Sequence, residues 1–348
     1  MGTSAEQFSQ RLFGSTLHMI DVMAVYLGDR LGWYRALAAG PATAAELTDR
    51  AGGSERYARE WLEQQASTGI LTMEDGRFAL PEGAAEVLTD TNSLAYLAPL
   101  ARMFGAAAAQ LPALVDAYRR GSGVRWSEYG VDMRESQADM NRPWFENKLA
   151  EALAGAPDID ALLRRPGARI ADVGCGGGWS SIALARAYPR ASVYGFDVDA
   201  PSIELARHNA ADAGLDDRVR FHEADAASLG EDSYDAVFAF ECIHDMPRPV
   251  EVLAGVRRAL RPGGAVVVMD EAVADTFVVP GDDVEQLMYG FSLFVCLPDG
   301  LSSQPSAGTG TVMRPGTLRA YAREAGFADI EVMPIEDFGL WRFYRLLP

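Results

Sequence analysis

The segment Phe240-Glu241-Cys242-Ile243-His244-Asp245-Met246 carries the residues best suited to move a proton. An imidazole titrates near neutral pH, so His244 can serve as a general base toward a hydroxyl, enol or amine. Asp245 beside it and Glu241 three residues earlier can orient the ring or balance its charge, giving a candidate catalytic set of His244, Asp245 and Glu241. The competing reading makes His244 a helix cap or a core histidine with its hydrogen bonds satisfied. The other three histidines, His18, His208 and His222, are read as structural.

A second grouping is Asp172-Val173-Gly174-Cys175-Gly176-Gly177-Gly178. Its glycines let the backbone turn sharply and approach a ligand without side chains in the way. Asp197 follows 19 residues after Gly178, on schedule to accept hydrogen bonds from a ribose diol. Alone, such a loop fits either a nicotinamide dehydrogenase or an S-adenosylmethionine-dependent methyltransferase. Four features favour the second. Asp172 precedes the first glycine by two residues and suits a cationic amino-acid moiety. Asp225 stands after the third strand, where an adenine amino group can donate to it. Leu260-Arg261-Pro262-Gly263-Gly264 forms a tight turn into a later strand. The chain closes in a strand pair.

These residues need a frame that brings strand ends together. From residue 168 onward the pattern alternates: strands at 169–173, 192–198, 219–224, 234–240 and 264–269, with helices at 179–187, 202–213 and 249–260. That alternation predicts a doubly wound, mostly parallel α/β sheet. A helix near 316–325 and strands near 329–335 and 341–346 should add an antiparallel edge. The segment 273–313 reads as an insertion, with Met288 and Phe291 as candidate walls of a substrate pocket or, equally, as core.

Residues 1–120 read as mostly helical. Leu17, Ile20, Met23, Ala24, Leu27 and Leu31 recur at helical spacing. Thr43 with Glu46 forms a capping box for a helix over 44–51, and Ser54 should cap the next, near 55–69. Glu74-Asp75-Gly76 between two short apolar runs signals a hairpin. Helix, helix, hairpin is a winged-helix pattern. Residues 81–120 are expected to continue as helix. Residues 121–143 look polar and irregular, and helices follow at 144–154 and 158–164. The expected domains are a helical dimerisation and cover domain at 1–120, linker and cover helices at 121–164, and a ligand-binding domain at 165–348. Tyr129, Trp144 and Phe145, near the junction, are further pocket candidates.

Composition narrows the classes. The 348 residues carry 31 basic and 49 acidic side chains, a net charge of −18. Residues 1–80 hold seven Arg against ten acids. A nucleic-acid partner needs a positive surface, so DNA binding through the winged helix is disfavoured. Apolar runs are too short to span a membrane. Cys175, Cys242 and Cys296 lie far apart with no CxxC pair, which fits a reducing, cytoplasmic setting.

Taken together, the motifs of residues 165–348 resemble the class I S-adenosylmethionine-dependent methyltransferases. The winged helix and the His-Asp pair after the fourth strand look like the small-molecule O-methyltransferases of secondary metabolism. His244-Asp245-Met246, Cys296-Leu297-Pro298 and Ala325-Gly326-Phe327 look closer to a bacterial, actinobacterial branch. The sequence has Pro247-Arg248-Pro249 where that branch suggests Gly-Asp-Pro. The resemblance implies S-adenosylmethionine as cofactor, S-adenosylhomocysteine as product, and a homodimer built by the N-terminal domain. It places Asp172, Gly174, Cys175, Gly176 and Glu241 about the methionine and ribose, with Asp197 on the ribose hydroxyls. Val198 would pack on the adenine, and Asp225 with Ala226 would meet its edge. His244 would deprotonate a hydroxyl of an aromatic or polyketide-like acceptor. Alternatives are C-methylation of an enolisable α-keto acid, a DNA-contacting regulator, a macromolecule methyltransferase, or a non-methylating role. The related α-keto acid enzymes hold a metal with histidines. Because 273–313 contains no histidine, no metal is expected.

Overall fold

The computed structural model describes residues 4–348 and divides into two compact units, one running to Gly105 and the other over Ala106–Pro348. In the first unit, α1 (Ala5–Arg30) begins at a Ser4–Gln7 capping box. The helices α2 (Trp33–Ala38), α3 (Ala44–Ala51) and α4 (Glu55–Ser67) follow, then the hairpin β1 (Thr72–Glu74) and β2 (Arg77–Ala79), and α5 (Glu82–Thr89). Asp75 and Gly76 both take positive φ, 48° and 74°, as a two-residue type I′ turn requires. The winged-helix expectation holds. Its core is Trp33, Tyr34, Leu37, Leu47, Trp61 and Leu62, with Trp61 Nε1 donating to the Ala24 carbonyl at 2.9 Å.

The two expected caps differ. Thr43 Oγ1 accepts from Glu46 N while the Glu46 carboxylate accepts from Thr43 N, whereas the Ser54 side chain makes no capping bond. Thr43→Ala should therefore cost ~1 kcal/mol of this unit's stability, and Ser54→Ala at most a few tenths. Denaturant titration of the two variants checks the contrast. On α4, Arg56 pairs with Glu60 and Arg59 with Glu55, so these cations are engaged along the helix itself.

Residues 81–120 are not one helix. The chain leaves α5 at Asp90, turns through 90–97, and resumes as α6 (Ala98–Ala109) and α7 (Leu111–Arg120). The larger departure is at 121–143. A 3-10 turn at Trp126–Tyr129 leads into α8 (Gly130–Ala154), a 25-residue helix that contains Pro143. Its polar residues suggested irregular chain, but packing overrides propensity: Met133, Phe145, Leu149 and Leu153 are buried along it. Next comes α9 (Pro157–Leu163).

The second unit is built on β3 (Arg169–Val173), α10 (Trp179–Ala187), β4 (Ser192–Asp197), α11 (Ala200–Asp212), β5 (Val219–Glu223), β6 (Tyr234–Phe240), α12 (Pro249–Ala259) and β7 (Leu260–Glu271). Inside 273–313 lie α13 (Asp283–Phe291), a π-helical turn at Ser292–Cys296 and α14 (Leu297–Leu301). The unit ends with α15 (Pro315–Glu324), β8 (Asp329–Val332) and β9 (Trp341–Leu347). Among the described residues the sheet order is β5-β4-β3-β6-β7-β9-β8. Neighbours from β5 to β7 run parallel, and β9 lies antiparallel between β7 and β8. The expected Rossmann-like sheet with an antiparallel edge is what forms. The turn expected at 260–264 is instead taken into β7, with a register irregularity against β6 between Tyr234 and Ala236.

Ile170, Val173, Val237, Phe238 and Val266–Met269 are buried because helices cover both faces, the pattern of a parallel sheet. Two apolar clusters result, one on each face. Strand order reverses between β3 and β6. A crevice is expected at the carboxyl ends of the strands at such a switch point.

Candidate active site

At that point the loop after β3 meets the segment after β6. Gly174 has φ +66°, and a Cβ there would fall 2.6 Å from Cys242 Cβ and 2.8 Å from its Sγ. Glycine is thus required for the two loops to touch. Gly176, at φ +49°, has nothing within 4 Å on the side where a Cβ would stand. Its bare backbone borders a cleft walled by Trp126, Arg134, Gln137, Asn141, Phe145 and residues 174–180, with Phe240 and Glu241 beside them. Four of these come from α8, the helix that replaces the expected irregular stretch.

Asp172 sits beneath the loop, wholly buried. Both Ser180 and Ser181 hydroxyls donate to its Oδ2 at 2.6 Å, and its Oδ1 has no hydrogen-bond partner. Burial raises its pKa to about 6 against the pull of those two hydroxyls. Asp197, at the end of β4, accepts from Gly176 N and Asp199 N, each at 2.9 Å, so it ties the loop to the neighbouring strand. Beside it Val198 is 71% exposed, an unsupported apolar platform. Asp225 follows β5, accepts from Ala227 N at 2.9 Å and lies 3.7 Å from Arg248, while Ala226 is buried. Cys175 is buried, and burial lifts its thiol pKa well above the usual value, which suits an inert loop residue.

The acidic and imidazole groups form one buried network. His244 Nδ1 lies 2.9 Å from Asp270 Oδ1, and its Nε2 lies 3.1 Å from Asp245 Oδ1. Burial by itself would lower the His244 pKa; the carboxylates of Asp245 and Asp270 overturn this and hold it well above 6.5. Glu241 adopts φ +50°, a left-handed conformation that costs a non-glycine residue about 1–3 kcal/mol. It is held there by Trp341 Nε1 and Asn141 Nδ2, both donating to its carboxylate. Glu271, at the end of β7, is buried near it, and one of its oxygens has no partner.

Burial raises the Glu241 pKa from 4.5 to about 7, against the Trp341 hydrogen bond and the charge of His244. The folded chain therefore keeps a proton that the unfolded chain loses between those values. Burial and the neighbouring Glu241 carboxyl also hold Glu271 above the usual range, so stability is expected to fall as pH rises above 4.5. Glu241→Gln should flatten this fall. Denaturation midpoints of the two proteins across that range check it.

Of the remaining sequence candidates, Phe145 lines the cleft and packs edge-on to Phe240 at 5.3 Å. Tyr129 donates to the Phe294 carbonyl at 2.6 Å. Trp144 packs with Trp341 and Phe338, Met288 is buried and Phe291 lies in α13; none of the three lines this cleft. The sequence reading missed Asp270, Glu271, Asn141 and Trp341. For Asp270 and Glu271 a signal existed: two acids at the carboxyl end of a strand beside the switch point. Nothing local marks Asn141 or Trp341.

The cleft suits S-adenosylmethionine. Open space over Gly176, an unpartnered buried Asn141 Oδ1 and the Glu241 carboxyl meet the needs of a zwitterionic, sulfonium-bearing ligand.

Comparison with known proteins agrees. Residues 164–292 match the family described as "Methyltransferase domain", and residues 20–90 match "Rv2258c-like winged HTH domain". The 27-O-demethylrifamycin SV methyltransferase of Amycolatopsis mediterranei is 30% identical over 207 residues, covering 54% of this chain and 72% of the relative. N,N-dimethyltransferase OxyT of Streptomyces rimosus is 28% identical over 344 residues, covering 93% and 92%. Several other curated methyltransferases are matched over about half of their own length. In fold, the chain is similar to an O-methyltransferase family protein from Burkholderia thailandensis at a TM-score of 0.72 and 19% identity, covering 100% and 98%. Among the described residues, no helix is long and apolar enough to cross a membrane. With its glycine loop, strand order and acid-flanked cleft, the chain belongs to the class I S-adenosylmethionine-dependent methyltransferases, in the O-methyltransferase-like branch with an N-terminal winged-helix domain.

Proposed function

We propose that the protein methylates a hydroxyl of a small aromatic or polyketide-like secondary metabolite, with His244 as general base. The observation that carries this reading is the His244–Asp270 contact at 2.9 Å, wholly buried at the switch point. Asp270 would fix the tautomer with hydrogen on Nδ1 and so leave Nε2, which faces Asp245, as the basic nitrogen. Asp245 sits on Nε2 with 30% of its side chain exposed, so it is the partner free to move. An acceptor hydroxyl that displaces Asp245 removes one of the two charges holding the imidazole protonated, and Nε2 becomes a competent base.

When bound, S-adenosylmethionine supplies an electrophilic methyl group on a sulfonium. Gly174, Cys175 and Gly176 would cradle its methionine and ribose portions. Glu241 and Asp172 would face its cationic groups, Asp197 the ribose hydroxyls, and Val198, Asp225 and Ala226 the adenine. α8 would act as the cover that excludes water, and Phe145 would contribute an apolar wall. The relative named as a 27-O-demethylrifamycin SV methyltransferase supports a secondary-metabolite acceptor. The test is a mass-spectrometric screen for one added methyl over phenols, enols and α-keto acids. Transfer to phenols that depends on His244 supports the reading. Transfer only to α-keto acids replaces it with C-methylation.

The same proposal includes a homodimer formed through the N-terminal unit in the cytoplasm. Phe8, Leu12, Phe13, Leu17, Met23 and Leu27 of α1 are all exposed, a stripe of apolar area unusual on a free helix. The helical periodicity expected here holds, yet of Leu17, Ile20, Met23, Ala24, Leu27 and Leu31 only Ala24 is buried. Sedimentation at micromolar concentration should give a dimer, and Phe13→Glu with Leu17→Glu should give a monomer.

A further inference from the structure

We propose that His244, Asp245 and Cys296 form a binding site for a borderline divalent transition-metal ion, with Zn²⁺ the best match. One nitrogen, one carboxylate oxygen and one sulfur from these residues lie within 4.8 Å of one another, the sole such grouping among the described residues. Tetrahedral Zn²⁺ holds such donors at about 2.0–2.3 Å, which sets them about 3.3–3.7 Å apart, so the wider pairs must close by up to about 1 Å on the ion. Histidine and aspartate come from the segment after β6. The cysteine comes from the π-helical turn of the 273–313 segment, which contains no histidine. A thiolate can take that place.

Three further observations point to an ion. Asp270 accepts from His244 Nδ1, the carboxylate–histidine arrangement that aims Nε2 at a metal and strengthens it as a ligand. Asp245 Oδ1 is 3.1 Å from Nε2 yet has no hydrogen-bond partner of proper geometry. Thr311 Oγ1, in a buried residue, and Asp270 Oδ2 also lack partners. Sulfur with imidazole and one carboxylate selects Zn²⁺, Co²⁺ or Fe²⁺ over Mg²⁺ and Ca²⁺. Binding converts the Cys296 thiol to a thiolate and releases its proton to solvent. Three protein ligands leave a fourth position open.

The inference does not depend on the acceptor's identity. Ligation and proton acceptance both use the Nε2 lone pair, so they exclude each other at any moment. The two are separable by experiment: metal uptake is read spectroscopically, and base function by methyl transfer in chelator-treated protein.

Cobalt is the probe. Chelator-treated full-length protein titrated with Co²⁺ is expected to bind one ion per chain with a near-ultraviolet thiolate-to-cobalt charge-transfer band. Excess Zn²⁺ should abolish the band. Cys296→Ser should remove it, and Asp270→Asn should keep it while weakening Zn²⁺ affinity about 10–100-fold. No band in the wild-type protein overturns the proposal, whatever the variants do. So does a band that survives in Cys296→Ser, since Cys175 or Cys242 would then be the ligand.

Discussion

Replacing His244 by glutamine is expected to slow methyl transfer by about 10²–10⁴-fold, the usual contribution of a positioned general base. The affinity for S-adenosylmethionine, measured by calorimetry, should change little, because His244 does not line the glycine-loop cleft. Glutamine is the better probe than alanine. His244 lies between two carboxylates, and Asp270 is wholly buried. Alanine would leave the buried Asp270 carboxylate with no cationic partner and only the Glu271 N–H donating to it, at a cost on the order of 3–5 kcal/mol, so lost fold would be confused with lost chemistry.

The pH dependence separates the roles further. The folded-state pKa of His244 is raised, so its stabilising contribution is complete below 6.5 and fades as pH rises through the higher folded value. His244→Gln should remove that alkaline loss. Asp270→Asn should shift the pH–rate profile, because the amide no longer fixes the tautomer and one charge is gone. A His244→Gln enzyme that methylates at the wild-type rate would overturn the base assignment.

Alanine at Gly174 and alanine at Gly176 should fail in different ways, although the two glycines are two residues apart. At Gly174 the new Cβ would press into Cys242 at 2.6 Å, in a left-handed conformation. Strain at such a position costs about 1–3 kcal/mol, and overpacking a buried contact adds a similar amount. The whole unit should be destabilised by a few kcal/mol. At Gly176 the Cβ meets nothing, so only the smaller backbone cost falls on stability. The methyl group would instead stand where the cofactor is proposed to rest. Thermal melts should therefore report Gly174→Ala, and calorimetric titration with S-adenosylmethionine should report Gly176→Ala as a large loss of affinity. Equal behaviour of the two in both measurements would show that the loop does not divide its duties this way.

What could be read from the chain alone was what is written locally. The β3 loop, the Thr43–Glu46 box, the Asp75-Gly76 turn and the strand–helix alternation each reside within a dozen or so residues, where spacing and residue type determine backbone conformation. The fold class followed from them, and so did the placing of His244 and the glycine loop at strand ends. Tertiary structure decided the rest. His244 gains Asp270 from β7, and Glu241 gains Asn141 from α8 and Trp341 from β9, each 100 residues away along the chain. The 144–154 part of α8 was legible, but its first half was not, because polar residues there masked a face that is buried only in the folded unit. Pairing order in a sheet is set by long-range packing, not by neighbouring residues, so the partners that tune a side chain's charge appear only when segments 26 or 100 residues apart are brought to one end of the sheet.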